Sequence, residues 1–434
     1  MKSKTDRSFC TRGHLEIIQK RTIEAAIVFM LLYPIAAVYA ATPWLNVDGN
    51  KIKDPAGNVV VLRGVSLIDL GHLEGWQGGA FEMIDRLTDM NDTQGAYTGW
   101  YPKVIRIPII PPEESVGWPY RWDPDDDSFY NDLLRPVVDY CKSKDAYVII
   151  DWHYIANTYD HNETTIQFWE YMAPRFAGDS HVMFELFNEP INDINGDWIF
   201  NSNDTTDWLS VRTDMQRWIN IVRTHAPNNL ILVAGAFYSQ VIGPAAAYPL
   251  TGSNIVMVSH IYPGHWCDSY WSSSYQNQIT TCATVYPVIM TEWGFSQSNH
   301  PPGDLLHGTI TEYGQPLADF REQYGIGNAA WCASYNWGPP MFWTNWTLRC
   351  GEGEMGCFTK DKLYEKRNDD QPQWLDGDLT HDNKVDTNDL HEFCEVWWLE
   401  NDCDETAGVD LNGDCIINFY EFSLLARNWL EGVQ

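Results

Sequence analysis

The sequence predicts a (β/α)8 barrel, an α/β fold, followed by a small all-α domain built on a duplicated loop. Three observations carry that prediction. Eight short apolar runs recur along the chain with longer helical patterns between them. The runs are nearly continuous in apolar residues rather than alternating, which marks strands buried on both faces and hence a parallel sheet. Near the C-terminus a twelve-residue acidic pattern occurs twice, the second copy starting at Asp410 where the first starts at Asp378. Eight strand–helix units in roughly 300 residues fit a closed barrel better than an open doubly wound sheet.

Residues 1–40 come first. Lys2, Lys4, Arg7, Arg12, Lys20 and Arg21 precede the apolar run Ala25–Ala40, which ends Val-Tyr-Ala. This reads as a secretory leader cleaved after Ala40, too short for a membrane span, so export to the outside of the cell is expected. Residues 41–365 form the large domain. Asp48-Gly49-Asn50 and Ala56-Gly57-Asn58 punctuate Trp44–Val61, which is expected to be a hairpin. The eight strand candidates are Val59–Leu67, Lys103–Ile109, Ala146–Asp151, Val182–Phe187, Leu230–Ala234, Ile255–Ile261, Pro287–Thr291 and Asn328–Ala333. Asn131–Ser143, Thr205–His225 and Gln315–Tyr324 are helical candidates among them. Residues 366–375 read as a charged, Pro-containing linker, and 376–432 as the second domain.

Composition narrows the partners. The net charge is −31, which argues against nucleic acid and anionic membrane surfaces and is compatible with a neutral polymer. The chain holds 21 Trp, enough to fill a large core and also to supply stacking platforms for sugars. Trp76, Trp118, Tyr120, Trp122, Tyr154, Trp266, Trp271, Trp343 and Trp346 fall in strand-end or loop segments and are candidates to line an open cleft. Export permits disulfides. Of the ten cysteines, Cys350 and Cys357 flank a Gly-rich loop, Cys267 and Cys282 bracket a polar segment, and Cys394, Cys403 and Cys415 cluster near the end. No Gly-rich phosphate loop follows any strand.

In a barrel of this kind the chemistry sits where strands end at the C-terminal face. Polar residues occupy that position one strand after another. Arg106 lies within the second run, His153 follows the third, and Asn188-Glu189 ends the fourth. His260 and Tyr262 end the sixth, Glu292 ends the seventh, and Trp331 or Trp337 lies on or after the eighth. Two carboxyl groups offered from two strands are what glycosidic bond cleavage requires, one to protonate the leaving oxygen and one to attack or to activate water.

With Leu-Arg-Gly-Val at 62–65, Asn-Glu-Pro at 188–190 and Glu-Trp-Gly at 292–294, the chain resembles glycoside hydrolase family five, the retaining endo-glycanases. The resemblance covers about residues 42–365. It implies Glu189 as acid/base and Glu292 as nucleophile, with Arg106, His153, Asn188, His260, Tyr262 and Trp331 or Trp337 around the sugar. It further implies an endo-β-1,4-glucanase needing no cofactor for catalysis. A β-mannanase or xyloglucan or mixed-linkage glucanase of the same fold is the alternative, and a non-catalytic sugar-binding protein the rival from another class.

The duplicated loop places oxygen ligands at the spacing that suits Ca2+. Asp378, Thr380, Asp382, the Lys384 carbonyl, Asp386 and Asp389 form the first set. Asp410, Asn412, Asp414, the Ile416 carbonyl, Asn418 and Glu421 form the second. The pair resembles a dockerin, the module that docks cellulosomal enzymes onto a cohesin scaffold, so calcium and a cohesin-like partner are expected. Thr387-Asn388 and Phe419-Tyr420 stand where the usual Ser-Thr recognition pairs would be.

Overall fold

All eight expected runs form strands, and they close into one parallel barrel. The computed structural model describes residues 42–88, 99–194, 205–266, 271–298, 300–367, 369, 387–396, 422 and 426. The chain divides into two units, Met1–Pro43 and Trp44–Gln434. The barrel belongs to the second, and the expected leader lies outside the described residues.

A two-stranded hairpin, β1 (Asn46–Asp48) and β2 (Lys51–Lys53), precedes the barrel. The barrel strands are β3 (Arg63–Ser66), β4 (Val104–Ile109), β5 (Tyr147–Trp152), β7 (Val182–Glu185), β9 (Ile231–Ala234), β10 (Ile255–Ile261), β11 (Val288–Trp293) and β12 (Gly327–Ala330). They pair in chain order, with β12 closing on β3. Two further short strands, β6 (Ile155–Ala156) and β8 (Glu189–Pro190), pair with each other above the rim. Every residue of the eight barrel strands is buried, as the continuous apolar runs require.

Local chemistry sets the boundaries. Gly64 lets β3 and β4 approach: a Cβ there would stand 1.7 Å from the Val104 carbonyl oxygen. Helix Gln315–Tyr324 has proline at its start and ends on Gly325 at φ 66°, where glycine takes the left-handed conformation at little cost. Helix Leu70–Trp76 is capped by Asp69, which accepts from the His72 N–H. The same carboxylate accepts from the Ile110 N–H at 2.9 Å, tying the loop after β3 to the end of β4. The expected helix over 131–143 is α-helical from Arg135 to Ser143, behind a wider π-type turn over Phe129–Leu134.

Three expectations are corrected. Asn188 and Glu189 do not end the fourth barrel strand, which stops at Glu185; Glu189 belongs to β8, held through its pairing with β6. Trp122 and Tyr154 do not line a cleft: both are buried, Trp122 edge-on to Trp152 and Tyr154 stacked on Phe187. Cys282 is a buried free thiol, so it has no bridge to Cys267, which lies outside the described residues. The Cys350–Cys357 disulfide is formed.

Of the expected second domain, helix Thr387–Val396 is described, with Asp389 buried in its first turn. Phe393 packs against Phe422, ring centroids 5.7 Å apart. Asp378, Thr380, Asp382, Lys384, Asp386, Asp410, Asn412, Asp414, Ile416, Asn418, Glu421, Cys403 and Cys415 lie outside the described residues, as does most of the linker.

Candidate active site

Strand β4 reads Val-Ile-Arg-Ile-Pro-Ile and buries Arg106 completely. A guanidinium removed from water needs acceptors along its edges, and this one has them. Its Nε donates to Glu185 Oε2 at 2.8 Å and its Nη2 to Glu185 Oε1 at 3.1 Å. Nη2 also donates to Asn188 Oδ1 at 2.7 Å and stands 2.9 Å from Asp151 Oδ2, while Nη1 donates to Glu292 Oε1 at 2.9 Å. Arg106 thus fixes groups from β5, β7, the loop after β7, and β11.

The register of β10 against β11 sets His260 beside Glu292. Tyr262 donates its hydroxyl to Glu292 Oε2 at 2.9 Å. His260 Nδ1 lies 2.8 Å from Glu189 Oε1 and 3.8 Å from Glu292 Oε2, so one ring faces both glutamates. Its Nε2 meets Thr291 Oγ1 at 2.9 Å, and that hydroxyl donates to Glu185 Oε1 at 2.8 Å. One carboxylate oxygen of Glu189 lies within 4.8 Å of one of Glu292. Carboxyl groups roughly 5–5.5 Å apart leave room for a sugar carbon but not for an intervening water.

Electrostatics separates the two acids. Burial raises Glu189, and the neighbouring Glu292 raises it further, against the opposing hydrogen bond from His260. Burial pushes Glu292 the same way, but His260, Arg106, His153 and the Tyr262 hydroxyl outweigh it, and Glu292 ends below the ordinary carboxylate value. His260 rises to about 10: burial opposes its charge, yet Glu292, Glu185 and Glu189 together favour the imidazolium. Glu185, despite its burial, is held down at about 2 by Arg106 and His260. Two neighbouring acids pushed in opposite directions have the arrangement that an acid/base pair requires.

The structure brings Arg106, His153, Asn188, Glu189, His260, Tyr262, Glu292 and Trp331 together. Most of them line a cavity of about 400 Å3 at the C-terminal mouth. His153 is anchored through Nδ1 to Asp151 at 2.6 Å and stacks on Trp331, ring centroids 5.4 Å apart. Asn188 Nδ2 has no partner among the described residues. Of the two tryptophan candidates, Trp331 belongs to the pocket. Trp337 stands farther out, with its indole N–H donating to His72 at 3.2 Å and its ring near Trp118. Around them Trp76, Tyr120 and Trp343 are exposed, and Trp346 packs on Tyr335 and Phe342. The side chains of Trp266 and Trp271 lie outside the described residues.

Sequence reasoning missed Asp151, Glu185 and Thr291. The first two had a signal: a lone acid inside a buried apolar strand, in Val-Ile-Ile-Asp-Trp and Val-Met-Phe-Glu, demands a cation within reach.

A parallel eight-stranded barrel bearing two such carboxyl groups at its C-terminal mouth has the architecture of a glycosidase. The comparisons narrow the class. The family model described as cellulase (glycosyl hydrolase family 5) matches residues 54–337; the chain belongs to this family. It is 26% identical over 342 residues to an endoglucanase from Clostridium saccharobutylicum, covering 77% of this chain and 62% of that one. It is 27% identical over 259 residues to endoglucanase E-5 from Thermobifida fusca, covering 58% and 48%. The chain thus spans less than two thirds of the length of either relative. Among solved structures, a beta-glucanase from Saccharophagus degradans superposes with a TM-score of 0.61 at 22% identity, covering 75% of this chain and 94% of that one, a likeness of fold.

Proposed function

We propose that the chain is a retaining, endo-acting hydrolase of β-1,4-linked glucan. The observation that carries this reading is the close approach of Glu189 and Glu292 with their acidities pushed apart. The names of the endoglucanase relatives support glucan as the polymer.

In the first step the ionised Glu292 forms a bond to the anomeric carbon while Glu189 gives its proton to the departing glycosidic oxygen. In the second, Glu189 takes a proton from water, whose oxygen displaces Glu292, so both side chains return to their starting states. Arg106 and Tyr262 hold Glu292 charged and oriented. The Asn188 amide, its oxygen engaged by Arg106, offers Nδ2 to the sugar 2-hydroxyl. His153 and Trp331 form one wall for the sugar ring, and His260 carries the hydrogen bond that orients Glu189. The exposed Trp76, the half-buried Trp118 and Trp337 extend an aromatic surface from that wall, which suits a polymer rather than a small glycoside.

Proton NMR of the earliest products on a soluble β-1,4-glucan tests the reading: the β-anomer should appear first, and an initial α-anomer would end it. Replacing Glu189 with Ala should cost roughly 10²–10⁴-fold on polymer and much less on aryl glycosides, whose leaving groups need no proton.

Both termini belong to the same reading. Residues 1–40 act as an export leader, placing the enzyme outside the cell. Residues 376–432 bind two Ca2+ through the duplicated loops and dock onto a cohesin-like scaffold. The loop spacing supports this, as does a helix that begins at the tenth position of the first loop and buries Asp389 at the twelfth. Calcium would there neutralise clustered carboxylates and couple its binding to folding. A calorimetric titration of the full chain without Ca2+ uptake would remove the module from the proposal.

A further inference from the structure

A second cavity, of about 210 Å3, lies away from the catalytic mouth, between helices Gln315–Tyr324 and Met355–Glu365 and against β11 and β12. Its cations fall into two kinds. Arg63 donates to Glu322 at 3.0 and 2.8 Å and pairs with Asp369; Lys366 pairs with the same two acids; Lys362 pairs with Glu365. Arg321 is different. It is 3% exposed, and its Nε and Nη1 have no acceptor among the described residues. What it touches is the face of Trp293, 4.1 Å from guanidinium carbon to ring centroid. The buried Thr359 hydroxyl lines the same cavity and likewise has no partner among the described residues.

A buried guanidinium with N–H groups left without acceptors is costly, and burial pulls Arg321 down to about 10 although the nearby Glu322 charge favours its cation. Guanidinium N–H donors and a hydroxyl lining one cavity with an aromatic face are chemistry that recognises a carboxylate. Asp319, Glu322 and Glu365 also border the cavity, so a multiply charged anion would be repelled where a monoanion is tolerated.

We propose that this cavity is a binding site for a small carboxylate monoanion, held by Arg321 and Thr359 against Trp293. It is independent of the glycosidase reading, since neither Arg321 nor Thr359 belongs to the cavity that holds Glu189 and Glu292.

Acetate is the probe. The full chain is heated at fixed pH and ionic strength while acetate replaces a bulky sulfonate, and broadening of the carbon-13 acetate signal is measured in parallel. The unfolding temperature should rise saturably by roughly 2 °C. Thr359→Val should raise the half-saturating acetate concentration about tenfold, the worth of one hydrogen bond to a charged group. Arg321→Gln should remove saturation altogether. Should Arg321→Gln not fold, the Thr359→Val titration and the broadening on the unaltered chain decide the matter. No saturable response in the unaltered chain overturns the site, and so does an identical response in Thr359→Val. A carboxylate of the chain itself filling the cavity would appear as loss of stability in Arg321→Gln with the unaltered chain blind to acetate, and that too overturns it.

Discussion

Glu292 and Trp293 are neighbours on β11, yet their side chains enter different surroundings. Glu292 faces the mouth, where Arg106, Tyr262 and His260 converge on it. Trp293 faces the helix layer, where Arg321 lies on its ring with two N–H groups lacking an acceptor among the described residues. Alternation of side chains along a strand puts one residue in each setting. At the mouth each buried charge is answered by others, so the cluster is a fixed device whose members set one another's protonation. Behind the barrel wall the described residues leave one guanidinium without a hydrogen-bonding acid, which opens it to a ligand. Whether a buried charge is satisfied within the fold or offered outward is decided by the elements that pack around it.

The sharpest break in this comparison comes at Glu292. Glu292→Ala should lower kcat on the order of 10⁵-fold, and added azide should restore turnover through the space left by the carboxylate, giving a glycosyl azide of inverted configuration. Retention of most activity would show that the partnered cluster is structural. Next in size is Glu185→Gln, which takes from Arg106 and His260 the anion they share. It should cost about 3 kcal/mol in denaturant unfolding and lower kcat with little change in KM, since Glu185 reaches the sugar only through other residues. A variant with unaltered stability would mean the cluster tolerates an unanswered charge as the rear cavity does.

The aromatic wall provides a smaller effect. Trp331→Ala should lower kcat/KM by roughly tenfold or more, and Trp337→Ala by less than that on short oligosaccharides, because Trp331 lies in the pocket and Trp337 outside it. Equal losses would extend the device outward. The subtlest test is pH. The proposed mechanism needs Glu292 ionised and Glu189 protonated; the first lies below and the second above their ordinary value of 4.5. The profile of kcat/KM should therefore be a bell, with its acidic limb below 4.5 and its alkaline limb above it. Stability has its own window. Glu185 is depressed to about 2 from 4.5, so its contribution is full above 4.5 and drains away as pH falls towards 2. His260, raised from 6.5 to about 10, contributes fully below 6.5 and loses that contribution as pH rises through 10.

The parts of the site that were legible in sequence share a property: each stands within or just beyond an apolar run, where a polar residue is conspicuous. That holds for Arg106, His153, Asn188, Glu189, His260, Tyr262 and Glu292. The choice between Trp331 and Trp337 was not legible, because both lie within one aromatic-rich stretch and only packing against His153 separates them. Trp122 and Tyr154 looked like cleft residues because loops are ordinarily at the surface, yet both are drawn into the aromatic cluster around Trp152. Helix Asn162–Phe176 buries Thr165, Phe168, Trp169, Met172, Ala173 and Phe176, the three-and-four spacing of an amphipathic helix, with Pro174 in its last turn.

Strand number, parallel pairing and the candidacy of the two glutamates were determined by the sequence itself, since continuous apolar runs and local motifs are properties of neighbouring residues. What the tertiary structure decided was which distant groups meet. Glu185 and Thr291 are 106 positions apart, yet they share a hydrogen bond, and Arg321 is laid on the ring of Trp293. Closure of the barrel fixes those encounters through strand register and helix packing, and no local pattern encodes where two far-separated side chains will be brought face to face.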